Sequence, residues 1–192
     1  MDILFVSPNG VGTELANRLK NDNRVAMYPG IEKGKLYEFV KHADLSVVDG
    51  PFPLEATSHG SWRPSTDSLF VEEVRRKHGA IAIGPTPTID LLVGDKRYFR
   101  KWCKRLNLPY SKGGIGEPWS FGAWFRERDI IPEGPYLAPW RPLFKSIRFR
   151  GWFELCGFID ESGVAVTHCR ADWPPESIPE GKEVEFLRTL AK

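Results

Sequence analysis

Four short strand-like runs divide the first half of the chain, and each stops at a turn rich in proline or glycine. Ile3-Leu4-Phe5-Val6 runs into Ser7-Pro8-Asn9-Gly10-Val11-Gly12, and Arg24 to Tyr28 ends at Pro29-Gly30. Leu45-Ser46-Val47-Val48-Asp49 ends at Gly50-Pro51-Phe52-Pro53, and Ala80-Ile81-Ala82-Ile83 at Gly84-Pro85-Thr86. A run that is apolar throughout, rather than at every second residue, suits a strand covered on both faces. Between the runs apolar residues recur at helical spacing: Leu15, Ala16 and Leu19 after Thr13 as a cap, then Leu36, Phe39 and Val40, then Leu69 to Val74. This alternation predicts an open α/β domain, a parallel sheet with right-handed crossovers.

The remaining segments are read the same way. Residues 55–66 are expected as a polar loop, and Thr88 to Leu106 as helix, in one or two pieces around Gly94. Small and turn residues cluster from Pro109 to Gly116, so the chain is divided into residues 1–110 and 111–192. In the second part Phe121 to Arg128 is expected as a short helix. Residues 144–150 are read as an alternating strand. Phe153–Asp160 and Val164–His168 form a hairpin around Glu161-Ser162-Gly163, residues 171–183 a loop, and Val184–Leu190 a last helix. That half is expected to be a small α+β region.

Charge and composition narrow the partners. A net charge of +2 over 192 residues gives no support to nucleic acid as a partner, and none is expected. Met1 to Val6 lacks the flanks of a signal peptide, and no apolar run approaches the roughly 18 residues of a membrane span. Cys103, Cys156 and Cys169 are odd in number and without C-x-x-C spacing, as expected of reduced thiols in a cytoplasmic protein. The four histidines are scattered, and the neighbours His168 and Cys169 on one strand point to opposite faces. Seven tryptophans, four of them between Trp119 and Trp152, belong either to the core or to a surface for a protein partner.

The fourth run and its sequel carry a resemblance. Gly84-Pro85-Thr86, Leu92, Gly94-Asp95-Lys96, Phe99, Lys101 and Leu108-Pro109 are similar to the ungapped Gly-Pro-Thr to Pro-turn segment of the phosphoribosylamine–glycine ligases, of the ATP-grasp superfamily. Pro29-Gly30, Asp44 to Leu54 and the Leu15-Ala16-Leu19 helix resemble further landmarks of that family in the same order. The resemblance implies a Rossmann-like pre-ATP-grasp domain for a phosphorylated ligand, followed by a shortened ATP-grasp part. It also implies ATP and magnesium as cofactors and a carboxylate–amine ligation, of the purine-biosynthesis kind.

Candidate residues follow from position and resemblance together. Asn9, Gly10, Gly12 and Thr13, and likewise Asp49 and Gly50, stand at strand ends where an open sheet binds ligands. Gly10 and Gly12 either offer backbone donors to an anion or make a tight turn, and Asp49 either meets a ligand hydroxyl or caps its turn. Gly84, Pro85 and Thr86 end the fourth strand in the same way. For the nucleotide the resemblance implies Lys96, with Lys145 and Glu154 as further candidates. Each is otherwise an ordinary surface charge. The family's charged Arg-Glu-His triplet in the first loop is replaced by Val11, Gly12 and Thr13. Tyr136-Leu137-Ala138-Pro139 resembles a family strand with Ala138 at the place of a lysine. No Gly-rich lid is present, and up to Lys192 no segment supplies the paired Glu and Asn that hold magnesium. Catalysis is therefore expected to be impaired or absent, the alternative being a protein that binds or sequesters a nucleotide or sugar phosphate.

Overall fold

The structure is a computed structural model that describes residues 1–28, 35, 38–39, 41–78, 81–114, 116–126, 130–131, 136–161, 163–174 and 178–191. The first half forms a parallel sheet from β1 (Asp2–Val6), β2 (Arg24–Tyr28), β3 (Leu45–Val48) and β6 (Ile81–Ile83), in the order β2-β1-β3-β6. Its crossovers include α1 (Thr13–Leu19), α2 (Thr66–His78) and a two-stranded hairpin of β4 (Leu54–Ala56) and β5 (Trp62–Pro64). Helices α3 (Pro87–Gly94) and α4 (Lys96–Arg105) follow.

β1 shows why its run is apolar throughout. Ile3 and Phe5 point to one side, against Leu15 and Leu19 of α1 and Leu187 of the last helix, α6 (Glu183–Ala191). Leu4 and Val6 point to the other, against Val48, Val71 and Val74. All four are fully buried, so each side chain removes its area from water on one face or the other.

The second half is an antiparallel sheet of β7 (Glu117–Phe125), β8 (Ile130–Ile131), β9 (Gly151–Asp160) and β10 (Gly163–Arg170), in the order β10-β9-β7-β8. Ala123, Phe125, Phe153, Leu155 and Val166 face a core shared with Ile89, Leu92 and Phe99 of α3 and α4. Trp140 is fully buried there, stacked on Phe99 with centroids 5.7 Å apart. Trp124, one residue out of phase, points the other way and packs edge-on against Trp173 and Phe186 within the core that holds Ile3 and Phe5. β7 thus serves both cores and binds the halves together.

The open α/β first half and the α+β second half agree with expectation; five local expectations do not. Residues 55–66 contain the β4–β5 hairpin, fastened by Glu55, which accepts hydrogen bonds from Thr66 N (2.7 Å) and Arg63 (3.0 Å). Residues 121–125 are strand, because Trp119, Phe121 and Phe125 alternate onto one core. Residues 144–146 belong to a helix, α5 (Arg141–Ser146), with Pro142 in its first turn, where a missing N–H is harmless. Residues 138–140 form a 3₁₀ turn rather than a strand. Thr13 is the first helical residue, not the cap, and its hydroxyl donates to Gly10 O. Leu36, Val40, Pro29-Gly30 and Ser162 lie outside the described residues.

The sheets also meet directly: Gly84 N donates to Arg150 O at 2.5 Å. Gly84 has φ +101°, and a Cβ there would overlap the Val48 carbonyl. Gly163 has φ +115° with no atom within 4 Å of such a Cβ. Urea denaturation separates the two effects. Gly163→Ala is expected to cost about 1–3 kcal/mol of backbone strain, and Gly84→Ala distinctly more, because strain and overlap add. Equal losses would show that the close approach at Gly84 is relieved without cost.

Candidate ligand-binding site

The order β2-β1-β3-β6 puts a switch point between β1 and β3: the chain leaves β1 towards one edge and returns to build the other. Loops leaving these two strands part from each other and leave a crevice at their carboxyl ends. Asp49, immediately after β3, is 2% exposed. Its Oδ2 accepts from the Ser7 hydroxyl and from Gly12 N, both at 2.6 Å, and its carbonyl accepts from Trp173 N at 2.8 Å. Burial pushes the Asp49 carboxyl above its ordinary value, the two hydrogen bonds pull against this, and the charge of Asp172 adds to the rise. A Cβ at Gly12 would collide with Asp49 Oδ2, so the residue must be glycine for this contact to form.

A crevice of about 280 Å³ opens beside this group, lined by Asn9, the Pro51–Leu54 segment, Asp90, Val93, Gly94 and Asp172. The Asn9 side-chain amide donates to Pro51 O at 3.4 Å. Asp90 is 1% exposed, receiving Phe52 N at 3.0 Å and the Ser68 hydroxyl at 2.5 Å. Burial pushes its carboxyl up to about 7, against the pull of Ser68, Phe52 and Arg75. A second cleft, of about 250 Å³, lies on the α1 side, between Leu15, Arg18, Asp49, Trp173 and Ile178.

A separate set of charges gathers where α4 begins. Asp95 caps that helix, accepting from Arg97 N (2.8 Å) and Tyr98 N (3.3 Å), which fixes Lys96 at its first turn. On the facing strands Glu154 pairs in register with Arg170, and Cys156 with His168. The Arg170 guanidinium lies 3.9 Å from Glu154. Partial burial holds the His168 imidazole below its usual range; Arg170 and Lys96 act in the same sense and Glu154 opposes them. Lys96, Glu154, His168 and Arg170 therefore share one field.

Asn9 lines the crevice, Gly12 and Asp49 line the second cleft, and Gly50 stands beside the Asp172 carboxylate. Gly10, at φ +75°, makes the turn, and its N–H donates to Ser7 O. Gly84, Pro85 and Thr86 lie buried below and line neither cleft. Arg75, itself buried, donates to the Ile83 carbonyl (3.2 Å) and the Pro85 carbonyl (3.0 Å). The Thr86 hydroxyl is buried with no partner among the described residues. Lys145 is exposed on α5, away from both clefts. The sequence reading missed Asp90, Asp172, His168 and Arg170. Asp90 did carry a signal, an acid among Ile89, Leu91, Leu92 and Val93, whereas Asp172 carried none.

All three cysteines are free and buried, and burial raises their thiols, Cys103 to about 12 and Cys156 to about 11, so they are poor nucleophiles. Among the described residues no three His, Cys, Asp or Glu side chains gather as a metal set, and no helix is long and apolar enough to cross a membrane.

No protein-family model matches the sequence, and no curated protein does. Solved structures do share the fold. N5-carboxyaminoimidazole ribonucleotide synthetase from Thermotoga maritima superposes with a TM-score of 0.58 at 11% identity, over 92% of this chain and 69% of that one. The phosphoribosylaminoimidazole carboxylase ATPase subunit from Aquifex aeolicus gives 0.55 at 12% identity, over 88% and 67%. The biotin carboxylase subunit of pyruvate carboxylase gives 0.58 at 10% identity, over 100% and 70%. At 10–12% identity the likeness is one of fold.

Asp90 makes stability depend on pH in a direction opposite to that of most carboxylates. Between about pH 4 and pH 7 the folded chain holds a proton there that the unfolded chain has released. The stabilisation is complete below that window and is lost as pH rises through it. Asp90→Asn keeps both hydrogen bonds, since the Ser68 hydroxyl can turn to accept. The variant is expected to gain in Tm relative to the parent between pH 5 and pH 8. An unchanged difference across that range would show that Asp90 does not titrate there.

Proposed function

We propose that this chain is a relative of the ATP-grasp carboxylate–amine ligases that binds a nucleotide next to a second small ligand, with ligase chemistry impaired or absent. The observation that carries this is the course of β10. His168 and Arg170 on it share a field with Lys96 and Glu154, and two residues further on Asp172 lines the crevice at the switch point. On this reading two small-molecule stations would lie side by side, as a reaction between an activated carboxylate and an amine requires. The second ligand would lie at the strand ends of the first 110 residues, with Asp172 added from the second part, and the nucleotide on the second sheet, with Lys96 added from the first, within the purine-pathway chemistry that the phosphoribosylamine–glycine ligase resemblance suggests.

ATP and magnesium fit unequally. Lys96, Arg170 and His168 offer cationic and donor groups suited to a polyphosphate. Magnesium needs several oxygen ligands, usually one or two carboxylates besides the phosphates. Among the described residues the carboxylate at hand, Glu154, stands alone beside Arg170 at 3.9 Å, and no metal set is made. This mismatch, together with the missing Gly-rich lid, supports impaired catalysis. Binding without turnover, the sequestering alternative, is the same arrangement with its chemistry removed.

Calorimetry with ATP tests the proposal. Binding is expected to survive EDTA, and no ADP is expected when an amine and a carboxylate are supplied. Lys96→Ala should weaken ATP by roughly tenfold to hundredfold, the loss of one charge-assisted contact, while Lys104→Ala on the same helix should change little. Equal effects of the two substitutions would reduce Lys96 to part of a solvated face, and steady ADP formation would refute the loss of chemistry.

A further inference from the structure

We propose that the crevice between the β1 and β3 loops takes a ligand presenting a cationic nitrogen, a primary ammonium or amidinium on a compact apolar body, and that Asp172 receives it. This deepens the second-ligand half of the proposed function and rests on it.

Two carboxylates, Asp90 and Asp172, line the crevice and a third, Asp49, lines the neighbouring cleft; Asp90 and Asp49 are already held. Asp49 is bonded to Ser7 and Gly12, Asp90 to Ser68 and Phe52. Asp172 has no hydrogen bond or ion pair among the described residues. Its Oδ1 projects over Gly50, 2.9 Å from where a Cβ of that residue would stand, and the Asn9 side-chain nitrogen is 3.9 Å from the same point. Absence of a side chain at Gly50 leaves open the space in which this carboxylate and this amide converge. Walls of Pro51, Phe52, Pro53, Leu54 and Val93 suit methylenes or a ring.

The same geometry disfavours a phosphate in this crevice. The donors that the first loop would give to an anion, the Ser7 hydroxyl and Gly12 N, are taken by Asp49, and Gly10 N by Ser7 O. An anion entering here would meet Asp172 and Asp49 without these donors to offset them. A cation would instead lie between Asp172 and the apolar walls, and would relieve the repulsion between the two aspartates.

Benzamidine and benzylamine, with benzoate and ribose 5-phosphate as comparisons, serve as probes in calorimetry on the full chain. Both amines are expected to bind and benzoate not to. Asp172→Asn, which keeps shape and removes charge, should weaken the amines by about tenfold or more with unchanged circular dichroism and unchanged ATP affinity. Benzoate binding as well as benzamidine, an Asp172→Asn affinity equal to the parent's, or no amine binding at all would each overturn the inference. Ribose 5-phosphate binding without amine binding also overturns it, yet leaves the proposed function standing. Amine binding with no ATP binding supports this inference and removes that function.

Discussion

Burying the Asp49 carboxylate is costly unless donors replace the water it loses, and here the donors come from a loop on another strand. Ser7 and Gly12 reach it from the end of β1, while its own main-chain carbonyl receives Trp173 N from beyond β10. One residue thereby ties together the loop after β1, the loop after β3 and a segment of the second half. The arrangement imposes its own requirements: glycine at position 12, where a side chain would displace the carboxylate, and glycine at position 50, where one would fill the space over Asp172. The first loop has the sequence of an anion cradle, but its central donors are satisfied from within, so the crevice beside it is shaped by carboxylates and not by free N–H groups.

The parallel sheet was legible because its strands are buried on both faces, and a strand in that position has little choice but to be apolar throughout. Segments that went unread are held by other means. The β4–β5 hairpin has strands of three residues, leaves Trp62 48% exposed and depends on the Glu55 carboxylate, so it buries too little to print a period on the sequence. Residues 121–125 contain enough apolar side chains to satisfy either period, and only the partner strand β9 decides between them. The α5 region is proline-rich, but its prolines stand at helix starts, where proline is tolerated.

Site residues divide along the same line. Asn9, Asp49 and Gly50 could be placed from topology alone, since a strand's carboxyl end follows once the strand is known. Lys96 and Glu154 came from resemblance, and their common field with His168 and Arg170 depends on a cross-strand register that no local pattern records. Asp172 belongs to no motif. It reaches the crevice only because Trp124 and Trp173 pack the second sheet against the first and Trp173 N is fixed on Asp49.

That packing has a consequence for how two ligands would be told apart. Arg170 and Asp172 are two residues apart, one at the end of β10 beside Glu154 and the other just past it in the wall of the crevice, with opposite charges. Glu154 lies 3.9 Å from the first, and the Trp173 bond to Asp49 holds the segment of the second. On the proposed reading an anionic group would be drawn to the Lys96 and Arg170 side and repelled from the crevice, and a cationic nitrogen would be drawn the other way. Since Coulomb energy rises steeply as the local dielectric falls, the discrimination is stronger at the half-buried Asp172 than at the 59% exposed Arg170 side chain. Orientation of such a pair of ligands would therefore depend mainly on the carboxylate in the crevice, and the outer cations would contribute more to attracting a polyphosphate than to aligning it.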